Sequence, residues 1–256
     1  MSRNQIASTA GVAIHRGCQE CSLSKLCIPI AVGADEISKL EEIIRQGRMH
    51  SRGDYIFEQH ASFRSCFAVR SGAIKTFTLS EEGEEQVTGF YLPGEIIGLD
   101  SVSMDTYSCS AVALERTSVC EIPLDRFEEL STRIPSLQHH FFLLLSKEIQ
   151  ESRQLSMLLS KNTAEERIAS LLLSLSSRFQ RRRLSDTRVK LPMPRSDIGN
   201  YLGLAVETVS RVLTRFQNQG LIKVQGRDVE ILDINNLQVL LKNEQKCPEP
   251  RANSGF

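Results

Sequence analysis

The chain has 256 residues, 41% apolar and 24% charged, the composition of an ordinary globular protein long enough for two modest domains. Its longest apolar run, from Phe141 to Leu145, is far short of the about 20 residues that cross a bilayer, and residues 1–16 lack the apolar stretch of a secretory leader, so no membrane contact is expected and the cytoplasm is the expected location. Net charge is zero, yet from Arg178 to Arg227 eleven Lys/Arg stand against three acids, a local excess of +8, which points to a polyanion-binding module beside an acidic remainder.

After an aperiodic start, "GCQECSLSKLCIP" sets Cys18, Cys21 and Cys27 close together. The seven cysteines fall at 18, 21, 27, 66, 109, 120 and 247. An odd count argues against a complete disulfide framework, and in a reducing compartment such a cluster reads as metal-binding or catalytic. The C-x2-C-x5-C spacing fits neither common ferredoxin pattern, and thiolates suit zinc as well as iron–sulfur. Spacing also leaves a fourth ligand open among Cys66, Cys109 and Cys120. Cys66, between Ser65 and Phe67, reads as a small core residue. Cys247, in a polar tail with Pro248 and Pro250, reads as a bystander.

Residues 34–48 read as a short amphipathic helix carrying Ile37, Leu40, Ile43 and Ile44. From 49 to about 123, short strand-like runs are punctuated by Gly53, Gly72, Gly83, Gly94 and Gly98, the pattern of a small antiparallel barrel or roll. A short helix over 124–130 stops near Pro135. Residues 136–161 hold no Gly or Pro and predict one long helix whose apolar stripe includes Phe141, Leu145, Ile149 and Leu159, a natural dimer seam. His139 and His140 lie on its surface or seam. "TAEE", Thr163 to Glu166, is a capping box that restarts a helix and marks a domain boundary.

"RSDIGNYLGLAVETVSRVLTRFQNQGLI" then predicts a helix-turn-helix. Residues 195–201 form the first helix, Gly203 turns the chain, and 206–218 form the second. Val209, Val212, Leu213 and Phe216 face inward, leaving Glu207, Thr208, Ser210, Arg211 and Arg215 for DNA. Arg211 suits guanine O6 and N7, Glu207 a cytosine amino group, and Ser210 a base edge or phosphate. "LIKV", "QGRD" and "VEIL" predict a hairpin wing with Lys223 and Arg227 near phosphates.

The whole order resembles the cyclic-AMP receptor protein superfamily and, more narrowly, its fumarate–nitrate reduction and anaerobic arginine-deiminase regulators. The strings that carry the resemblance are "CSLSKLCIP", "AVRSGAIKTFT", "GEEQVTGF", "VCEIP", "LLLSKNTAEERIA" and "IGNYLGLAVETVSRVLTRFQ". It implies an α+β fold: a cysteine-rich segment (1–33), a cyclic-nucleotide-binding-like β-roll (34–135), a dimerisation helix (136–162), a winged helix-turn-helix (163–240) and a tail (241–256). It further implies a [4Fe–4S] cluster on Cys18, Cys21, Cys27 and Cys120, and a homodimer on a TTGAT-like inverted repeat in double-stranded DNA. Base reading would fall to Glu207, Ser210 and Arg211, and RNA polymerase would be met by roll loops such as 80–84. The expected function is oxygen-responsive control of anaerobic genes, without enzymatic activity. One departure concerns the seam: where these regulators commonly carry a carboxylate that resists dimerisation, this chain has Ser152, with Glu148 and Glu151 nearby.

Rival readings are a regulator of the same fold that senses nitric oxide or thiol redox, through zinc or a cluster, and a cyclic-nucleotide receptor. For the latter, Glu95 in "PGEIIGL" is placed to accept from a ribose hydroxyl. No Arg or Lys lies between Pro93 and Ala113 to meet the phosphate. An enzyme or electron carrier lacks support, since no phosphate loop, metalloprotease helix or nucleophile elbow is found.

Overall fold

The computed structural model describes residues 17–241. The cysteine segment ends in a 3₁₀ turn, Ile28–Ala31, and is followed by α1 (Ile37–Ile43). The roll is built from β1 (Arg45–His50), β2 (Tyr55–Phe57), β3 (Ser65–Ser71), β4 (Ile74–Leu79), β5 (Glu85–Tyr91), β6 (Ile96–Ile97), β7 (Ser110–Ala113) and β8 (Thr117–Pro123). They form two antiparallel sheets, ordered β1-β8-β3-β6 and β2-β7-β4-β5. The expected helix over 34–48 is corrected here. The chain leaves it at Ile44, whose ψ of 123° is extended, and runs into β1. A ladder partner decides this: Gln46 lies opposite Cys120 on β8, and such pairing overrides the weak helical preference of a few residues.

Phe57, Val69, Ile74, Ile97, Tyr107 and Val119 fill the space between the sheets. The outer face of the β1-β8-β3-β6 sheet is covered as well, with Ile28, Leu40, Cys66, Ala68, Ile122 and Phe127 in one cluster. β3 is therefore buried on both faces, which is why "CFAV" reads as a continuous apolar run rather than an alternation. α2 (Leu124–Arg133) leads into α3 (Pro135–Lys161), with Pro at the start where its missing N–H costs nothing. At 27 residues α3 is about 40 Å long. Leu137 is its buried anchor, while Phe142 (59%), Ile149 (54%) and Met157 (42%) stay exposed.

α4 (Ala164–Arg181) starts at the expected capping box, with both reciprocal bonds between Thr163 and Glu166 formed. Arg167 braces the break between α3 and α4. It donates to Leu159 O (2.8 Å), Asn162 O (3.0 Å) and Leu202 O (2.9 Å). Next come β9 (Arg188–Lys190), α5 (Arg195–Leu202), α6 (Val206–Asn218), β10 (Ile222–Gln225), β11 (Asp228–Ile231) and α7 (Ile234–Leu241). The expected hairpin wing is a three-stranded sheet, β10-β11-β9, and neither β9 nor α7 was legible as an element. Gly203 ends α5 at φ 61°, the left-handed turn the helix-turn-helix needs. The core of this domain, with Leu172, Leu175, Ile198 and Phe216, is continuous with Val87 and Phe90 of β5. The result is the α+β arrangement of a roll, a long helix and a winged reader.

Candidate functional site

The cysteine segment folds by successive turns: Cys21 N–H donates to Cys18 O (3.3 Å), Ser24 N–H to Cys21 O (3.0 Å) and Cys27 N–H to Leu23 O (3.0 Å). Ile28 and Pro29 then bury against the roll, and Glu41 accepts from Gln19 N–H at 2.9 Å. Cys120 lies in mid-sheet, opposite Gln46 on one side and Ala68 on the other. Burial pushes the Cys18 thiol up to about 12, with Cys120, Glu41 and Cys21 adding to the rise and Arg70 opposing it. Burial likewise pushes Cys27 up to about 12, with Cys120, Cys18 and Cys21 adding to it. Cys120 is raised by burial, opposed by Arg70 and reinforced by Cys21. The four thiols thus share one electrostatic neighbourhood. Cys66 and Cys109 are also raised to about 12 by burial, but the charge that bears on both of them is Asp100. Among the described residues, no three His, Cys, Asp or Glu side chains converge tightly enough for one metal ion. Cys247 lies outside the described residues. Arg70 was missed by sequence reasoning; its only sequence signal is its place on β3, two residues from Ala68.

On α6, Val209, Val212, Leu213 and Phe216 are buried, while Glu207 and Arg211 are exposed and Thr208 and Ser210 half-buried. The ion pairs among the described residues do not include Glu207 with Arg211; Arg211 donates to Thr208 Oγ1 at 3.2 Å instead. Ser210 accepts from Arg195 Nη1 at 3.2 Å, a partner the sequence did not suggest. Arg215, expected on the reading face, is ion-paired with Glu165 of α4. Lys223 and Arg227 are exposed on the wing.

Of the expected seam residues, Ile149 and Ser152 are exposed and Leu145 and Leu159 half-buried. Phe141 packs into its own roll, with its ring 5.1 Å from that of Phe127. The neighbouring acids are occupied within the chain. Glu148 accepts from Tyr91 OH at 3.0 Å, and Glu151 pairs with Lys147 at 3.5 Å.

Glu95 is not open to a ribose. Its carboxylate accepts from Arg178 Nε (2.9 Å), Arg182 Nη2 (2.7 Å) and Leu92 N–H (2.9 Å). Burial alone would raise this carboxyl, but the two guanidinium groups outweigh burial and hold it at about 2. Arg178 is raised because Glu95 overcomes burial. Arg182 is lowered because burial is joined by the charges of Arg178 and Arg181. Both remain cations near neutral pH.

Residues 48–133 match the cyclic nucleotide-binding domain family, and residues 166–240 match the Crp-like helix-turn-helix domain family. The chain is 51% identical over 216 residues to the transcriptional activator protein Anr of Pseudomonas aeruginosa, covering 84% of this chain and 88% of that one. It is 42% identical over 232 residues to the fumarate and nitrate reduction regulatory protein of Vibrio cholerae, with coverages of 91% and 92%. The solved structure of FixK2 from Bradyrhizobium japonicum superposes with a TM-score of 0.71 at 27% identity, over 77% of this chain and 97% of that one. The chain therefore belongs to the Crp/Fnr superfamily of DNA-binding transcription regulators, in its Anr and fumarate–nitrate reduction branch, and is not an enzyme.

Proposed function

We propose that the chain is an oxygen-responsive transcription regulator of anaerobic genes, holding a [4Fe–4S] cluster on Cys18, Cys21, Cys27 and Cys120. In that state it would bind a TTGAT-like inverted repeat as a cytoplasmic homodimer and engage RNA polymerase. The observation that carries the reading is the place of Cys120, in mid-sheet and within charge range of Cys18, Cys21 and Cys27, while Cys66 and Cys109 answer to Asp100. Four thiols are a fitting donor set for soft iron sites. Raised as Cys18 and Cys27 are, they stay protonated until a metal's charge draws the protons off.

A bound cluster would supply an oxygen-labile tie between the cysteine segment and the sheet. The chain's own residues carry that tie onward. Ile28, one residue after Cys27, is buried against Phe127, and the 3₁₀ turn it begins packs on α3. The position of the segment therefore bears on the helix whose exposed stripe would form the dimer. Two arrangements of α3 then give two populations, and the ligand state biases them. At the DNA, Arg211 would fork onto guanine and Glu207 accept from cytosine, with Ser210 on a base edge or phosphate and Thr208 and Arg215 beside them.

Anaerobic purification tests this. Iron and acid-labile sulfide in near-equal amounts, a brown colour that bleaches in air, and DNA binding lost in step are the expected results. A colourless, zinc-loaded protein that binds DNA equally in air would overturn the reading. A cyclic nucleotide, suggested by the match at 48–133, finds its acidic contact Glu95 already taken, and tight cyclic-AMP binding is not expected.

A further inference from the structure

Three charged side chains meet in a largely shielded site between the roll and the C-terminal end of α4, with side-chain exposures of 16% for Glu95, 14% for Arg178 and 8% for Arg182. Arg178 forks onto the carboxylate and also donates to Phe90 O (2.6 Å), while Arg182 adds a bond to Pro93 O (2.7 Å). Burying three charges incurs a desolvation cost that apolar side chains of similar size would not, so the set is poorly suited to stability alone. Its contribution is geometry: a planar guanidinium fork on a carboxylate admits essentially one orientation.

A second polar contact lies away from the first. Asn200 of α5 donates to Glu85 O (2.6 Å) and accepts from Val87 N–H (2.6 Å), and Asp197 meets Lys75 at 3.4 Å. Two separated contacts, on α4 and α5, fix rotation as well as distance. In this docked pose Glu207 and Arg211 are exposed, so the contact does not cover the reading face.

We propose that Glu95, Arg178 and Arg182 are positioning residues that lock the DNA reader to the roll in the orientation that presents α6 outward. The two readers of a dimer would then meet both halves of an inverted repeat together. The inference rests on the homodimer reading above. It gives the acidic position that would otherwise suit a ribose an internal task, filled by the chain's own DNA-binding domain.

The test compares affinity for an inverted repeat with affinity for a single half-site, using the full chain reconstituted anaerobically. Glu95→Gln keeps the volume and removes the charge. A triple variant, Glu95→Met with Arg178→Met and Arg182→Met, removes the fork without orphaning a charge. Each variant should bind the inverted repeat about tenfold more weakly and the half-site within about twofold of wild type, because only simultaneous engagement needs the fixed orientation. Colour and dimer content should stay unchanged. Equal loss on both DNAs would make the contact merely structural, and unchanged or tighter binding to the repeat would also overturn the proposal. A wild type with no preference for the repeat would fail the homodimer reading and the positioning role with it.

Discussion

The carboxyl of Glu95 stands at about 2 in the fold against an ordinary 4.5, so its contribution to stability has a definite sign. A depressed acid stabilises the folded state fully above its unfolded value and loses that contribution as pH falls through the folded one. The shift corresponds to something on the order of 3 kcal/mol. Urea unfolding of cluster-free protein should separate wild type from Glu95→Gln at about pH 6, and the gap should narrow as pH falls below 4.5 and close only as it passes through about 2. A gap independent of pH would remove the charge from the account. The cysteines make a second residue-level prediction. Cys120→Ala should yield colourless, iron-poor protein even without oxygen, whereas Cys66→Ala and Cys109→Ala should keep the colour at a cost of about 1 kcal/mol in core packing. What was legible differs between these sites. Cys18, Cys21 and Cys27 announce themselves by proximity in the chain. Cys120 does not, because its link to them is a register across β8 that no spacing rule encodes. Arg178 and Arg182 are not legible as partners of Glu95, because they lie 83 and 87 residues away in the chain and meet it only through the packing of α4 on the roll.

At the scale of elements, the longer periodic helices are legible in the sequence, whereas the end of α1, the short α7 and the boundary strands are not. α6 declares itself through four inward residues and a glycine turn. β1 and β9 are short, polar and defined by a partner, so their own residues carry little signal. The turn at Gly203 sits at φ 61°, and an added Cβ there would lie 3.4 Å from Arg167 Nη1. Gly203→Ala should therefore cost about 1 kcal/mol through backbone strain, lowering the melting temperature by a few degrees and weakening DNA binding. On α3, Ser152 lies on the exposed face with Ile149, and Ser156 Oγ donates to its carbonyl at 3.0 Å. Glu148 is turned to Tyr91, and Glu151 is exposed beside Lys147 one turn earlier. Two aspartates facing each other across a closing interface repel and lose water. Ser152→Asp should accordingly weaken dimerisation of cluster-free protein on the order of tenfold, read by gel filtration at micromolar concentration. A wild type that elutes only as monomer under those conditions would show that Ser152 does not relax the control.

Over the whole molecule, charge is divided. The segment from Arg178 to Arg227 carries an excess of +8 in a chain of zero net charge, so the rest carries a matching acidic excess. Part of that basic excess is engaged internally, since Arg178 and Arg182 hold Glu95. The positive surface that remains lies toward α6 and the wing, where Arg211, Lys223 and Arg227 are exposed. Such a separation orients the molecule in the field of a polyanion, reader first, and makes binding steeply dependent on salt. The two kinds of cation should then part company by experiment. Arg211→Ala should cost about 1–3 kcal/mol and relax discrimination at a single base pair of each half-site. Lys223→Ala should weaken all sequences alike and reduce the slope of log affinity against log salt by about 1 for each phosphate left without its cation. Titrations on matched and single-substituted sites at several salt concentrations distinguish the two. If Lys223→Ala altered base preference while Arg211→Ala changed only the salt slope, the assignment of reading to α6 and anchoring to the wing would have to be exchanged.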